Sequence, residues 1–315
     1  MRPAFSVVFL TTLCGAAQGL ILALVAMELA AGAGVLAPPA PAFYVAGAAT
    51  AVVLGGLGLL ASFFHLGHPE RAWRAIAMWR TSWLSRECLA LPVFLALAFM
   101  YGGAHALSLP QGYTLALGIV TVLAAAVLFV CTAMIYSCLR FLQEWASPWT
   151  MVNFVLLGCA SGFTLAALCA ACFAPWLAGN LALCACVLTV AGCLSRLASL
   201  ARNARLRPKS TVQSATGIVA QKVVQKSRGF TGSTFNMREF FHGKSPRTLQ
   251  TVKYGFLLGA FLVPFILLVL SLFLPTPVAL LLVAFVVQYA GLVAERWFFF
   301  AEAQHPQNIY YQQVS

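Results

Sequence analysis

Eight stretches of this chain, at about 6–31, 43–66, 88–108, 113–136, 149–173, 178–200, 252–274 and 277–300, run on with almost no charge. About 20 apolar residues in a helix cross roughly 30 Å of hydrocarbon, and only helices and closed barrels satisfy their own backbone hydrogen bonds there. The pattern predicts an all-α membrane protein, a bundle of eight transmembrane helices. The rest of the composition agrees, with 62% hydrophobic and 8% charged residues and no aspartate, so an ordinary soluble enzyme is excluded. The first stretch follows Arg2 as a secretory signal would. Its apolar run is longer than the roughly 7–15 residues of a signal core, and it is read as a retained helix. The whole chain, 1–315, is expected to form a single membrane domain.

Charge gives the expected orientation. Eight crossings put both termini and the connections 67–87, 137–148 and 201–251 on one side, and 32–42, 109–112, 174–177 and 275–276 on the other. All 19 Lys and Arg residues fall on the first side or at helix ends facing it. The positive-inside rule predicts that both termini are cytoplasmic. The net charge of +12 is then a property of one surface, suited to anionic headgroups or a protein partner. The connection at about 201–251 is far longer than the roughly 2–8 residues usual between packed helices. It is basic but holds Ile218, Val219, Val223 and Val224, then Phe235, Phe240 and Phe241. A disordered tether lacks such residues, so the connection is expected to be an ordered surface that docks a partner subunit.

The spans themselves carry little chemistry. Glu28, Arg196, Glu295 and Arg296 lie near span ends, whereas a proton pump or ion-coupled transporter places ionisable groups near the midplane. Of the five histidines, only His65 and His105 approach span ends, and on opposite faces, where one haem cannot take both as axial ligands. Cys169 and Cys172 have the spacing of a metal pair but no second pair, and the ten cysteines are read as small apolar residues packing between helices. No haem, cluster or metal is expected in this chain. Two similar stretches, FLTTLCGAAQG and FVLLGCASGF, hint at an internal duplication, but small residues at helix contacts account for them equally well.

One connection departs from this sparseness. FFHLGHPERAWRAIAMWRTSWLSRE, residues 63–87, gathers four arginines, two glutamates, two histidines and three tryptophans between two apolar spans. His65 closes the second span and Glu87 opens the third, after Ser82 or Ser85 as an N-cap. A quinone is a flat apolar ring with a carbonyl at each end, and its reduction consumes two protons. Its site needs apolar or aromatic walls, a donor to a carbonyl and a proton route to water. His65 donates and titrates near neutrality, and Glu87 can relay a proton. No electron carrier is encoded, so electrons must come from a docked redox subunit.

The segment HLGHPERAWRAIAMWRTSWLSRE resembles the signature of the dimethyl sulfoxide reductase anchor subunits, and FNMREFFHG resembles a second motif of that family. The likeness covers nearly the whole chain. It implies an eight-helix anchor in a bacterial inner membrane that holds a molybdopterin catalytic subunit and an iron–sulfur subunit and exchanges electrons with ubiquinone or menaquinone without haem. His65 and Glu87 match positions implicated in quinol binding. The two ends, MRPAFSVVFLTTLCGAAQGL and ERWFFFAEAQHPQNIYYQ, resemble the sulfite dehydrogenase anchors within the family more than the sulfoxide enzymes, and a partner-docking face on the positive side points the same way. The expected role is therefore anchor and quinone-binding subunit of a sulfite:quinone oxidoreductase, not catalytic alone. Expected at the quinone are His65, Glu87, Trp73 and Trp83, with Arg71, Arg74 and Arg86 in docking, headgroup contact or pocket electrostatics. Arg238, Glu239, Phe240 and His242 are expected at the partner. The alternatives are an anchor of a sulfoxide or related reductase oxidising quinol, and a small-molecule transporter.

Overall fold

A computed structural model describes residues 1–224, 226–227, 235–274 and 277–311, except the side chains of residues 237, 238 and 311. Among the described residues, eight helices are long and apolar enough to cross a membrane: Phe5–Gly32, Pro41–Phe63, Trp83–Ala106, Gln111–Ser137, Pro148–Phe173, Pro175–Asn203, Pro246–Ser271 and Val278–Glu302. They are called the first to eighth helices below. Local chemistry sets their starts. Proline stands in the first turn of the second, fifth, sixth and seventh helices, where its missing N–H is no loss. Ser82, Ser147 and Ser245 accept a backbone N–H at the starts of the third, fifth and seventh. The cap at Ser82 starts the third helix about five residues earlier than the hydropathy pattern does. Glu87 consequently lies inside the helix, buried, rather than at its mouth.

The first and fifth helices form the axis. Of their apolar stretches 78% is buried, against 33–44% for the other six. They can cross closely because glycine faces glycine: Gly15 and Gly19 on the first meet Gly158 and Gly162 on the fifth. A Cβ at Gly19 would collide with the Gly158 carbonyl, and one at Gly162 with the backbone of Gly19. The two similar stretches noted above are thus the two halves of one helix crossing. In lipid, such close backbone approach is a main source of helix association. The seventh and eighth helices repeat the device, with Gly291 lying against Gly259 and Ala260. Just there the seventh helix widens into a π turn, Leu258–Leu262, before Pro264. Pro264 has no N–H to give, and the wide turn removes the clash its ring would make with the preceding carbonyls.

Charges near the span ends pair with one another. Arg196 Nε lies 2.7 Å from Glu295 Oε1, and an Arg296 nitrogen lies 3.6 Å from Glu295 Oε2, which ties the sixth helix to the eighth. At the opposite ends of the helices, Glu28 of the first helix accepts from Tyr101 of the third at 2.7 Å and from Thr114 of the fourth. His105 Nε2 lies 3.4 Å from the same carboxylate, and its ring stacks on Tyr44 of the second helix at 4.2 Å. The carboxylate thereby links the first, third and fourth helices, and the His105 ring brings in the second. His105 stands at the far end of the bundle from His65.

Candidate functional site

The ends of the second, third and fourth helices and the start of the first enclose a cavity of about 400 Å³ on the basic face, within the range of small-molecule sites. Its wall is almost wholly apolar and includes Leu10, Leu59, Phe63, Leu91 and Ile135. The connection after the second helix roofs it as a 3₁₀ helix, Pro69–Ile76. With three residues per turn, Ala72 and Ala75 share the face toward the cavity, while Arg71 and Arg74 share another. Small residues inward and charged ones outward are what a thin roof over an apolar space requires.

His65 and Glu87 both line this cavity. His65 keeps one side toward solvent, and its burial against the apolar wall pushes the imidazole below its ordinary pKa of 6.5, because an imidazolium is poorly solvated there. The neutral ring therefore prevails at pH 7, with one nitrogen as donor and one as acceptor. Glu87 is buried, and its Oε1 accepts from Thr132 of the fourth helix at 2.5 Å, so its carboxyl group is fixed in orientation. Pro92, one turn further along, leaves the Cys88 carbonyl without its helical donor, and Cys88 too lines the cavity.

The DMSO reductase anchor subunit model matches residues 1–302 of the chain. The chain belongs to that family. A relative from Allochromatium vinosum, one of the subunits of a sulfite dehydrogenase, is 52% identical over 326 aligned positions covering 100% of both chains. Membership together with the eight apolar helices makes this a multi-pass membrane protein and an anchor subunit of the DMSO reductase type.

The other aromatic and basic residues of the anchor's opening motif stand outside the cavity wall. Trp73 is 67% exposed with the Arg74 guanidinium 5.4 Å from its ring centre. Arg71 lies at the surface, 3.7 Å from Glu70. Arg86 sits 4.3 Å over Trp83 and donates to the carbonyls of Trp79 and Arg80 at 2.9 and 2.7 Å, which fastens the end of the connection to the third helix. The motif thus divides into His65, Leu66, Leu84 and Glu87 at the cavity, a roof, and an outward basic and aromatic surface. Sequence reasoning did not find Thr132, whose hydroxyl is one of many on an apolar helix, nor Tyr136, which also lines the cavity.

The second motif is fastened to the chain's own C-terminal segment. The Phe240 ring stacks on His305 at 3.7 Å, and its carbonyl accepts from Asn308 at 3.2 Å. The Glu239 carbonyl accepts the Arg2 N–H at 2.9 Å. His242 is buried, with Nδ1 accepting the Lys244 N–H at 3.0 Å. The Arg238 side chain lies outside the described residues. Outward-facing apolar groups are Phe235 and, earlier in the connection, Ile218, Val219 and Val224. A second cavity, of about 460 Å³, lies beside this platform, lined by Glu144, Arg207, Lys209 and Asn308 among others. Its charged wall is unsuited to a flat apolar ring.

Proposed function

We propose that this anchor subunit binds quinone in the cavity between His65 and Glu87 and passes it electrons from an iron–sulfur subunit docked on the basic face, within a molybdenum sulfite:quinone oxidoreductase. The observation that carries the reading is the convergence of a neutral imidazole and a buried carboxyl group on one apolar cavity at the end of the bundle where the described basic residues gather. The Allochromatium vinosum relative, named for a sulfite dehydrogenase, supports sulfite as the substrate of the complex. Under the positive-inside rule the basic face is cytoplasmic, and the catalytic and iron–sulfur subunits sit in the cytoplasm against the inner membrane.

Sulfite oxidation at a molybdopterin centre in the catalytic subunit releases two electrons. Quinone takes these and two protons to become quinol. His65 donates a hydrogen bond to one carbonyl and, as negative charge builds on that oxygen, passes its N–H proton to it while its other ring nitrogen takes a proton from water, so the ring stays neutral. Its solvent-facing side lets it recharge from water. Glu87, held in place by Thr132, supplies the second proton. The apolar wall selects the ring and keeps water from the reduced oxygens. Arg238, Glu239, Phe240 and His242 belong to the platform that meets the partner. Phe240 and His242 set its shape, and the exposed Phe235, Ile218 and Val219 offer apolar contact. Arg71, Arg74 and Arg86, with Trp73 and Trp83, complete the basic rim near the headgroups.

The family model takes its description from dimethyl sulfoxide reductase, which favours a second reading: the same cavity oxidising quinol for a reductase. One experiment separates them. The complex purified through a tag on this chain is given sulfite and a quinone analogue. Quinol formation supports the sulfite assignment. Absence of turnover, with molybdenum and iron present, rules out sulfite and leaves the reductase reading. Recovery of this chain without redox partners removes the support for both redox readings of the cavity and turns the question to a transported small molecule.

A further inference from the structure

The cavity offers few donors, and their number matches a quinone. Five of its lining residues carry a polar or thiol group: Ser62, His65, Glu87, Cys88 and Tyr136. The Ser62 hydroxyl proton is used on the Leu59 carbonyl at 2.6 Å. Glu87 is already tied to Thr132 and serves as a proton source, and a thiol is a weak donor. His65 and Tyr136 remain as the donors with no other acceptor among the described residues, and a quinone has two carbonyls to satisfy.

The surroundings of Tyr136 fix where its hydroxyl can act. The ring, 8% exposed, stacks on Phe154 at 5.7 Å and meets Trp145, Phe299 and Phe300 edge-on at 5.3–5.7 Å. Trp145 is itself held by a 2.9 Å hydrogen bond from Nε1 to the Phe299 carbonyl. The ring is thus clamped from several sides and cannot swing away. Among the described residues the Tyr136 hydroxyl has no hydrogen-bond partner, and it is not among the polar atoms sealed off inside the bundle. A packed phenol with an unsatisfied hydroxyl at a cavity wall is costly unless something accepts from it.

We infer that Tyr136 is the second carbonyl-binding residue of the quinone site, donating its hydroxyl to the oxygen remote from His65 and so setting the orientation of the ring. This rests on the quinone reading above. It assigns the two ends of the ring to different elements: His65 beyond the second helix, and Tyr136 at the end of the fourth. It also gives the aromatic cluster behind Tyr136 a purpose, as the rigid backing of a ligand-binding hydroxyl. A phenol stays protonated at neutral pH, so Tyr136 contributes a fixed donor while His65 and Glu87 handle protons.

The test is direct binding of a quinone analogue, and of a matched analogue lacking one carbonyl, to the purified complex by isothermal titration, without sulfite. Tyr136→Phe removes the hydroxyl and keeps the ring packing. The wild-type complex should bind the quinone about tenfold more tightly than the one-carbonyl analogue. Tyr136→Phe should lose about tenfold in quinone affinity and most of that preference. If the wild type binds the quinone, His65→Ala weakens it and Tyr136→Phe does not, the Tyr136 assignment falls alone. If the wild type binds neither compound, the quinone site falls and the assignment with it. Thermal unfolding of Tyr136→Phe at the wild-type temperature separates lost affinity from lost structure.

Discussion

At the residue scale, His65 carries the sharpest expectations. His65→Ala should leave the complex assembled, because His65 is partly exposed and lies beyond the end of the second helix, and should abolish quinone reduction. Assay of sulfite oxidation with a soluble artificial acceptor beside the quinone assay checks this, and unchanged quinone turnover removes His65 from the mechanism. Its depressed pKa also has a stability consequence. The unfolded chain takes up a proton near pH 6.5, while the folded protein resists until lower pH. The contribution is present above about 6.5 and is lost as pH falls through the folded value. The difference in thermal stability between wild type and His65→Ala should therefore move against the wild type between pH 7.5 and 5. A pH-independent difference would show that the imidazole is not protected by the cavity wall.

At the scale of elements, two features hold the helices in the register the cavity needs. The first is the glycine crossing of the first and fifth helices. Gly19→Val drives a branched side chain into the Gly158 backbone, and with no flexible neighbour to yield, the expected loss is about 3 kcal/mol or more. Thermal unfolding in detergent reads it, and a stable variant would mean that the crossing is looser than described. The second is the Glu28 cluster. Glu28→Ala strands the Tyr101 hydroxyl and the His105 ring in a buried site and leaves the Thr114 hydroxyl only its bond to the Gln111 carbonyl, with an expected loss of about 3 kcal/mol. Because the cluster lies at the far end from His65, any quinone activity of surviving protein should be close to normal. Selective loss of quinone affinity without loss of stability would contradict a purely structural role.

At the scale of the whole molecule, the arrangement separates a lipid-facing bundle from one basic platform. The N-terminal residues, the FNMREFFHG motif and the C-terminal segment are tied together there by the Arg2, Phe240, His305 and Asn308 contacts. Deleting most of 210–245 should release the soluble subunits from membranes while the eight helices still insert. Fractionation followed by detection of molybdenum in the soluble pool checks this, and normal retention places the partner elsewhere. Phe240→Ala should weaken retention more mildly by loosening the platform around His305.

Several features could be read from the chain alone. Hydropathy located the eight helices to within a few residues, since a span must be apolar along its whole length. The distribution of Lys and Arg marked one face, and His65 and Glu87, each flanking a short connection, were close enough in sequence to be brought to one cavity by the helix ends alone. Ser82 was visible as a cap, although its effect, carrying Glu87 inside the third helix, was not. Partnerships between distant helices were not legible. Thr132 on Glu87, Tyr136 in the cavity, His105 on Glu28 and Phe240 on His305 join residues 45 to 77 positions apart or more. In lipid the tails are as apolar as leucine, so the pattern of apolar residues does not distinguish a side chain facing lipid from one facing a neighbouring helix. That choice is made by the fit of small residues between helices and by polar groups finding one another, and it exists only once the bundle is assembled.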